Sequence, residues 1–214
     1  MARALDEIVR GDAIAVEAAD EDWEAPLAPG EAAAVSGAIE RRRREFAAGR
    51  ACARRALAQL GVPVAELPSG ADRVPQWPPG VIGSISHTRG WCAAVVARCG
   101  ALRGIGLDGE RLITGERANI FPMIAQPAEW AALGPLASEA ELQWAGTLLF
   151  CAKEAAYKAQ YPLTGLMLEF DDVEIAVDLP ARAFTARVPR ARLPRVSGRF
   201  ATDGDLLIAF AIID

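Results

Sequence analysis

From Glu31 to Leu60 the chain contains no proline, and Gly61-Val62-Pro63 then breaks the pattern as a helix C-terminus does. At about 100° per residue, Val35, Ile39, Phe46, Ala53, Leu57 and Leu60 fall in one narrow stripe, which predicts a long helix with that stripe on the core. Arg43, Arg50 and Arg54 line one edge of the stripe, whereas Arg41 and Arg44 point away from it. Guanidinium groups in such a row either reach an anion or lay their stems over the core and solvate their heads. Ahead of this helix lie a short apolar run, Ala13 to Val16, and a loop rich in acid and proline that ends at Pro29-Gly30.

A proline-rich connector, Pro63 to Pro79, leads into the strand-like Ile82 to His87. Thr88-Arg89-Gly90 then supplies a turn and Trp91 to Arg98 a partner strand, which together predict a hairpin. Arg103 to Asp108 follows as a further strand, in which Gly104 and Gly106 predict close approach of a neighbouring backbone. Pro122, Pro127 and Pro135 break Thr114 to Leu136 into short helices or loop. A second long helix is predicted from Ser138 to Tyr161, with Ser138 as N-cap, Glu141 as capping-box partner and Pro162 as the stop. Val173 to Val177, Phe184 to Val188 and Leu206 to Ile213 complete the strands. The fold class is α+β, and the similar content of the two halves permits two related subdomains, residues 1–100 and 101–214, with a seam near Gly100.

At 214 residues, 52% hydrophobic and 24% charged, the chain can bury a core without staples. Cys52, Cys92, Cys99 and Cys151 match no zinc knuckle or redox pair, and the segment Met1 to Glu7 lacks a signal-peptide apolar core. No apolar run approaches the roughly 18 to 20 residues that a membrane-spanning helix needs. A cytoplasmic protein with reduced thiols is expected, without a membrane partner. The formal net charge of −5 disfavours nucleic acid, so any anion site depends on local placement of arginine and lysine.

Three segments carry candidate chemistry. In Asp108-Gly109-Glu110, at a strand end, both carboxylates point to one side of extended chain and can converge on a hard cation, although such a pair also caps turns. In Phe150-Cys151-Ala152-Lys153-Glu154-Ala155-Ala156-Tyr157-Lys158, Glu154 and Lys158 stand one helical turn apart. Lys153 falls near the edge of the apolar stripe of Leu142, Ala145, Leu149, Ala152 and Ala156, where a lysine needs an anion. Gly83-Ser84-Ile85-Ser86-His87-Thr88 contains the single histidine of the chain, either a structural hydrogen-bonder or a functional group.

In order and spacing these segments resemble the phosphopantetheinyl transferases of the surfactin and enterobactin synthetase type. That family shows Ser-x-Ser-His, then I/V-G-I/V-D-x-E, then W/F-x-x-K-E-x-x-x-K. Here they stand as Ser84-Ile85-Ser86-His87, Ile105-Gly106-Leu107-Asp108-Gly109-Glu110 and Phe150 to Lys158. Glu45-Phe46-Ala47-Ala48-Gly49-Arg50 with Arg54, and Arg73-Val74-Pro75-Gln76-Trp77-Pro78, extend the likeness upstream, to cover roughly residues 40 to 160. Gly109 departs from the usual aliphatic residue and Phe150 from the commoner tryptophan.

The resemblance implies a pseudo-two-fold pair of α+β subdomains with coenzyme A as co-substrate in the cleft between them. It implies that the phosphopantetheine arm moves to a serine of an apo carrier protein or carrier domain, with release of 3′,5′-ADP. Asp108, Glu110 and Glu154 are then the ligands of Mg²⁺, or of Mn²⁺ in its place. Glu154, or a water that it orients, is the expected base and Lys158 the group that neutralises pyrophosphate charge, with Lys153 as a second cation. Ser86 and His87 are expected on phosphate oxygens, and Arg50, Arg54 and Arg73 on the 3′-phosphate and adenine end. Ile113, Ile120, Phe121, Met123 and Ile124 either line a groove for the carrier protein or pack the core. The chain is expected to act as a monomer. Two other functions use the same residue types: a metal-dependent nuclease, and a module that binds coenzyme A or a carrier protein without turnover.

Overall fold

The computed structural model describes residues 4–191 and 193–214; Met1, Ala2 and Arg3, part of the N-terminal stretch without a signal-peptide core, lie outside the described residues. Strands β1 (Ile14–Glu17), β2 (Val81–Thr88) and β3 (Trp91–Arg98) form an antiparallel sheet in the order β1-β3-β2. A second antiparallel sheet joins β4 (Gly104–Arg111), β5 (Glu174–Asp178), β6 (Ala183–Arg187), β7 (Val196–Asp203) and β8 (Leu206–Ile213) in the order β4-β8-β7-β6-β5. Helices α1 (Ala4–Ile8), α2 (Pro29–Ala33), α3 (Glu40–Gln59), α4 (Phe121–Ile124), α5 (Pro127–Ala132) and α6 (Glu139–Thr164) complete the α+β fold.

The continuous apolar runs of β3 and β8 follow from having both faces covered. On β3, Ala94 and Val96 pack under α3 with Ala53, Ala56 and Leu57. The alternate residues Trp91, Ala93, Val95 and Ala97 meet Ile105, Leu107, Ile208 and Phe210 of the second sheet. On β8, Leu207, Ala209, Ala211 and Ile213 face α6, through Leu148, Leu149, Ala152 and Ala156. Each sheet therefore carries one long helix, and the two remaining faces share a core that Leu5 and Ile8 of α1 close.

The hairpin β2-β3 forms as expected, turning through Arg89 and Gly90 at φ 72°. Gly104 and Gly106 meet the expected close backbone: a Cβ on Gly106 would lie 1.9 Å from the Ala155 carbonyl oxygen, and one on Gly104 would lie 2.4 Å from that of Ala159. Helix α6 thus lies directly against β4.

Three expectations require correction. The first long helix starts at Glu40 rather than Glu31, because the chain turns after α2 through Ser36-Gly37 and Ile39 is an extended N-cap, 68% exposed. Helix α6 passes through Pro162 and ends at Gly165, whose φ is 65° and whose N–H donates to the Tyr161 carbonyl at 2.8 Å. Proline in a last turn removes one bond near an end that Gly165 already closes. Strand β7 was not expected, since its residues are largely polar; Gly198 within it leaves room for the Phe184 ring, which would lie 2.1 Å from a Cβ there.

Ile113, Phe121 and Ile124 are buried in the core of the second half, whereas Met123 is 66% exposed. Cys52, Cys92 and Cys151 are buried thiols, Cys99 is exposed, and none of the four is in a disulfide. Among the described residues no helix is long and apolar enough to cross a membrane.

Candidate active site

Strands β2 and β4 lie side by side at the seam, joined by side-chain hydroxyls rather than by a ladder. The N–H of Leu107 donates to Ser84 Oγ at 2.9 Å and that of Gly109 to Ser86 Oγ at 3.1 Å. The Ser86 hydroxyl in turn donates to Asp108 Oδ1 at 3.0 Å, and Thr88 Oγ1 donates to Glu110 Oε1 at 2.5 Å. Ser84, Ser86 and Thr88 share one face of β2 because side chains alternate along a strand. Both acids of β4 consequently face the same row of hydroxyls, as their spacing predicted.

The close approach of α6 to β4 brings Lys158 onto Asp108: Nζ lies 2.6 Å from Oδ1 and 3.1 Å from the Leu107 carbonyl oxygen. Asp108 Oδ2 is buried without a hydrogen-bond partner. Glu154, one turn earlier on α6, is held above its ordinary carboxylate range by burial and by the nearby Asp108 charge. Glu110 also accepts from the Arg111 N–H at 2.8 Å and pairs with Arg117 at 3.2 Å. Among the described residues no three His, Cys, Asp or Glu side chains gather into a complete metal cage. Mg²⁺ ordinarily takes one or two carboxylates and completes its shell with waters and substrate phosphates. An unpartnered buried carboxylate oxygen in an all-oxygen donor set fits that chemistry.

Above this floor opens a cleft of about 320 Å³, bounded by α3, the loop 72–75, β2 and the end of α6. Arg50, Arg73, His87 and Lys158 line it. Arg50 is 4% exposed; its ring neighbour Phe46 lies 4.2 Å below the guanidinium, Nη2 donates to Ser69 Oγ at 2.7 Å, and Nε has no partner. Burial pulls its pKa down to about 10, opposed by Glu31. A buried cation with a free donor suits an anionic ligand. Arg73 holds a left-handed backbone, φ 68°, in a loop closed by the Arg73 N–H on the Gly70 carbonyl. His87 lies below its ordinary pKa through burial and the Arg42 charge, and it accepts from the Arg42 guanidinium.

Some residues singled out by sequence stand elsewhere. Arg54 does not line the cleft; Nη1 pairs with Glu31, 2.5 and 2.7 Å from its two oxygens. Lys153 is 1% exposed, and its Nζ lies 2.8 Å from Glu129 Oε2. Arg43 donates to the Ser36 carbonyl at 2.7 Å. Conversely, the sequence pattern missed Arg42, Tyr157 and Tyr161, which line the cleft. Arg42 stands four residues before Phe46 and eight before Arg50, a helical spacing that would have found it. On the helical wheel Arg42 shares the angle of Leu60, inside the apolar stripe, whereas the arginines picked out were those along its edge. A second cleft, of about 330 Å³, is lined by Glu154, Tyr157, Met167, Leu168, Phe170 and Val173 and also by the buried Lys153, and it adjoins the first at Tyr157 and Met167.

Comparison with known proteins bears on the same segments. Residues 30–97 match the family model of the 4′-phosphopantetheinyl transferase N-terminal domain, and residues 104–210 match that of the 4′-phosphopantetheinyl transferase superfamily. The chain is 42% identical over 196 residues to 4′-phosphopantetheinyl transferase Svp of Streptomyces mobaraensis, covering 87% of this chain and 78% of that protein. It is 41% identical over 162 residues to 4′-phosphopantetheinyl transferase PptT of Mycobacterium tuberculosis, covering 74% and 69%. The structure of Helicobacter pylori holo-[acyl-carrier-protein] synthase in complex with coenzyme A aligns with TM-score 0.40 at 18% identity, over 51% of this chain and 99% of that one. With both sequence models matched in order and close to 40% identity across most of its length, the chain belongs to the 4′-phosphopantetheinyl transferase superfamily and is an enzyme of that class.

Proposed function

We propose that the protein transfers the 4′-phosphopantetheine arm of coenzyme A to a serine of an apo acyl-, peptidyl- or aryl-carrier protein and releases 3′,5′-ADP. It does so as a cytoplasmic monomer that engages neither nucleic acid nor membrane. Residues 1–100 hold the adenine and 3′-phosphate end, and residues 101–214 supply the metal ligands and the proton-transfer group. The observation that carries this reading is the foot of the cleft, where Lys158 is fixed against Asp108 beside a buried, unpartnered carboxylate oxygen.

Asp108, Glu110 and Glu154 would hold Mg²⁺ or Mn²⁺, which when bound neutralises charge on the pyrophosphate. Arg50, through its free Nε, and Arg73 bind the 3′-phosphate and the adenine end. His87 contributes a ring nitrogen toward the phosphates, and Ser86 fixes Asp108 from behind. Glu154 accepts the proton of the attacking serine hydroxyl, a task favoured by a carboxylate whose affinity for protons burial has raised. Lys158 stabilises the charge that accumulates as the bond to 3′,5′-ADP breaks.

Incubation with coenzyme A, Mg²⁺ and a panel of apo carrier proteins, read by intact mass, tests the proposal. A phosphopantetheine mass gain on at least one carrier is expected. Saturable coenzyme A binding with no transfer to any carrier would leave a binding module, and metal-dependent degradation of a labelled oligonucleotide would indicate a nuclease.

A further inference from the structure

Two of the cations picked out by sequence are neutralised by the same device, built once in each half. Glu31 is the third residue of α2, which begins with Pro29, and Glu129 is the third residue of α5, which begins with Pro127. Both are buried, at 0% and 8% exposure. Each carboxylate makes the same three kinds of bond. Oε2 accepts the backbone N–H three residues earlier, from Ala28 at 3.0 Å and from Gln126 at 2.7 Å. Oε1 accepts the N–H of a distant segment, from Leu67 at 2.9 Å and from Ile175 at 2.8 Å. A base from the long helix of the same half completes each set, Arg54 of α3 for Glu31 and Lys153 of α6 for Glu129. Each base also donates to a backbone carbonyl, of Pro26 at 3.2 Å and of Phe170 at 3.0 Å.

What each glutamate fixes is a wall of a cleft. Two residues beyond Leu67, Ser69 receives the Arg50 guanidinium, and the same loop continues to Arg73. Beside Ile175, the segment from Phe170 to Val173 walls the second cleft opposite Glu154. The bases themselves are already committed to carboxylate and carbonyl oxygens. Stripping either base from its glutamate to reach a phosphate would leave a buried, uncompensated charge.

We propose that Arg54 and Lys153 are positioning residues rather than phosphate ligands: the paired clamps Glu31–Arg54 and Glu129–Lys153 set the loop 67–75 and the segment 170–175 against the bound coenzyme A. This rests on the transferase function proposed above. Binding of coenzyme A and of dephospho-coenzyme A to Arg50→Ala and Arg54→Ala, measured by calorimetry, separates the roles. Arg50→Ala is expected to weaken coenzyme A about tenfold more than dephospho-coenzyme A, the loss of one charge-assisted contact. Arg54→Ala is expected to weaken both by the same factor, with faster amide exchange in residues 67–75. An Arg54→Ala protein that discriminates against the 3′-phosphate as Arg50→Ala does overturns the assignment.

For the second clamp, Lys153→Met alone leaves Glu129 charged and buried, whereas Lys153→Met with Glu129→Gln removes both charges. The single variant is expected to lose more than about tenfold in kcat and the double variant to recover to within about threefold of the parent. Should the single variant fail to fold, the double variant decides alone. Glu129→Gln keeps only one of the two oxygens that accept the Gln126 and Ile175 N–H groups, so amide exchange in residues 170–175 is measured alongside. A folded double variant with parental exchange there that stays more than about tenfold below the parent would show that Lys153 acts on the substrate. A parent enzyme that modifies no carrier protein removes the transferase reading instead, and it is measured first.

Discussion

Gly109 stands between the two acids because the indole of Trp91 occupies the space beside it: a Cβ there would lie 2.3 Å from the Trp91 ring. The residue that departs from the family pattern is thus matched by a neighbour on β3, and the backbone between Asp108 and Glu110 is wedged rather than loosened. Gly109→Ala should lower stability by about 1–3 kcal/mol, the usual cost of overpacking. Thermal denaturation checks this, and Trp91→Leu added to Gly109→Ala should restore part of the loss; no recovery would remove the indole as the cause. Glu154 and Asp108 separate by their response to metal. Asp108→Asn should regain much of its rate as Mg²⁺ is raised. Glu154→Gln should stay about 10²–10⁴-fold impaired at saturating Mg²⁺, since an amide cannot accept the serine proton. Near-normal turnover of Glu154→Gln at high Mg²⁺ would exclude it as the base.

Strand β2 owes its Ser-x-Ser-x-Thr pattern to the seam. Its hydroxyls take the place of a strand partner for the Leu107 and Gly109 N–H groups, so each removal leaves a buried donor unpaired. Ser84→Ala and Ser86→Ala should each cost about 1–3 kcal/mol in denaturant titration. Ser86→Ala alone should also raise the Mg²⁺ concentration needed for half-maximal rate, because it frees Asp108 as well; equal metal requirements would reduce Ser86 to a purely structural role. Elements of this kind were legible where local chemistry decides them. Ser138 and Glu141 cap α6 reciprocally, at 3.2 and 3.0 Å, and Gly104 and Gly106 announced the helix lying on β4. Periodicity failed where a tertiary partner decides. Ile39 matches the stripe of α3 in phase but precedes the helix, and β7 has too few apolar side chains to announce itself, although Val196 and Phe200 bury against β6.

Across the whole molecule, the gathering of Arg50, Arg73, His87 and Lys158 on one cleft was legible because motif spacing survives folding. The clamps were not. Arg54 and Lys153 look like Arg50 and Lys158 in sequence, and only tertiary packing brings Glu31 and Glu129 to them across 23 and 24 positions. The same limit governs the apolar residues after Glu110, of which Met123 is exposed while Ile113, Phe121 and Ile124 are core. Met123→Glu should therefore raise KM for the carrier protein by about tenfold, with kcat and thermal midpoint unchanged, as expected of an interface anchor. Phe121→Ala should instead lower the thermal midpoint. An unchanged KM in Met123→Glu would place carrier docking elsewhere.

The docking of α1 sets the order in which the molecule is assembled. Leu5 and Ile8 bury against Ile208 and Phe210, a contact closed across about 200 positions of chain, while each long helix and hairpin is built from local contacts. Loop-closure entropy delays such a contact until the local units exist to reward it. The core between the sheets, and with it the seam that aligns Asp108 with the cations of the cleft, should therefore close last. On dilution from denaturant, the helical circular-dichroism signal should return first and coenzyme A binding afterwards, with a slower single rate. Leu5→Ala should lengthen that lag without slowing the first phase, and simultaneous recovery of the two signals would contradict this order.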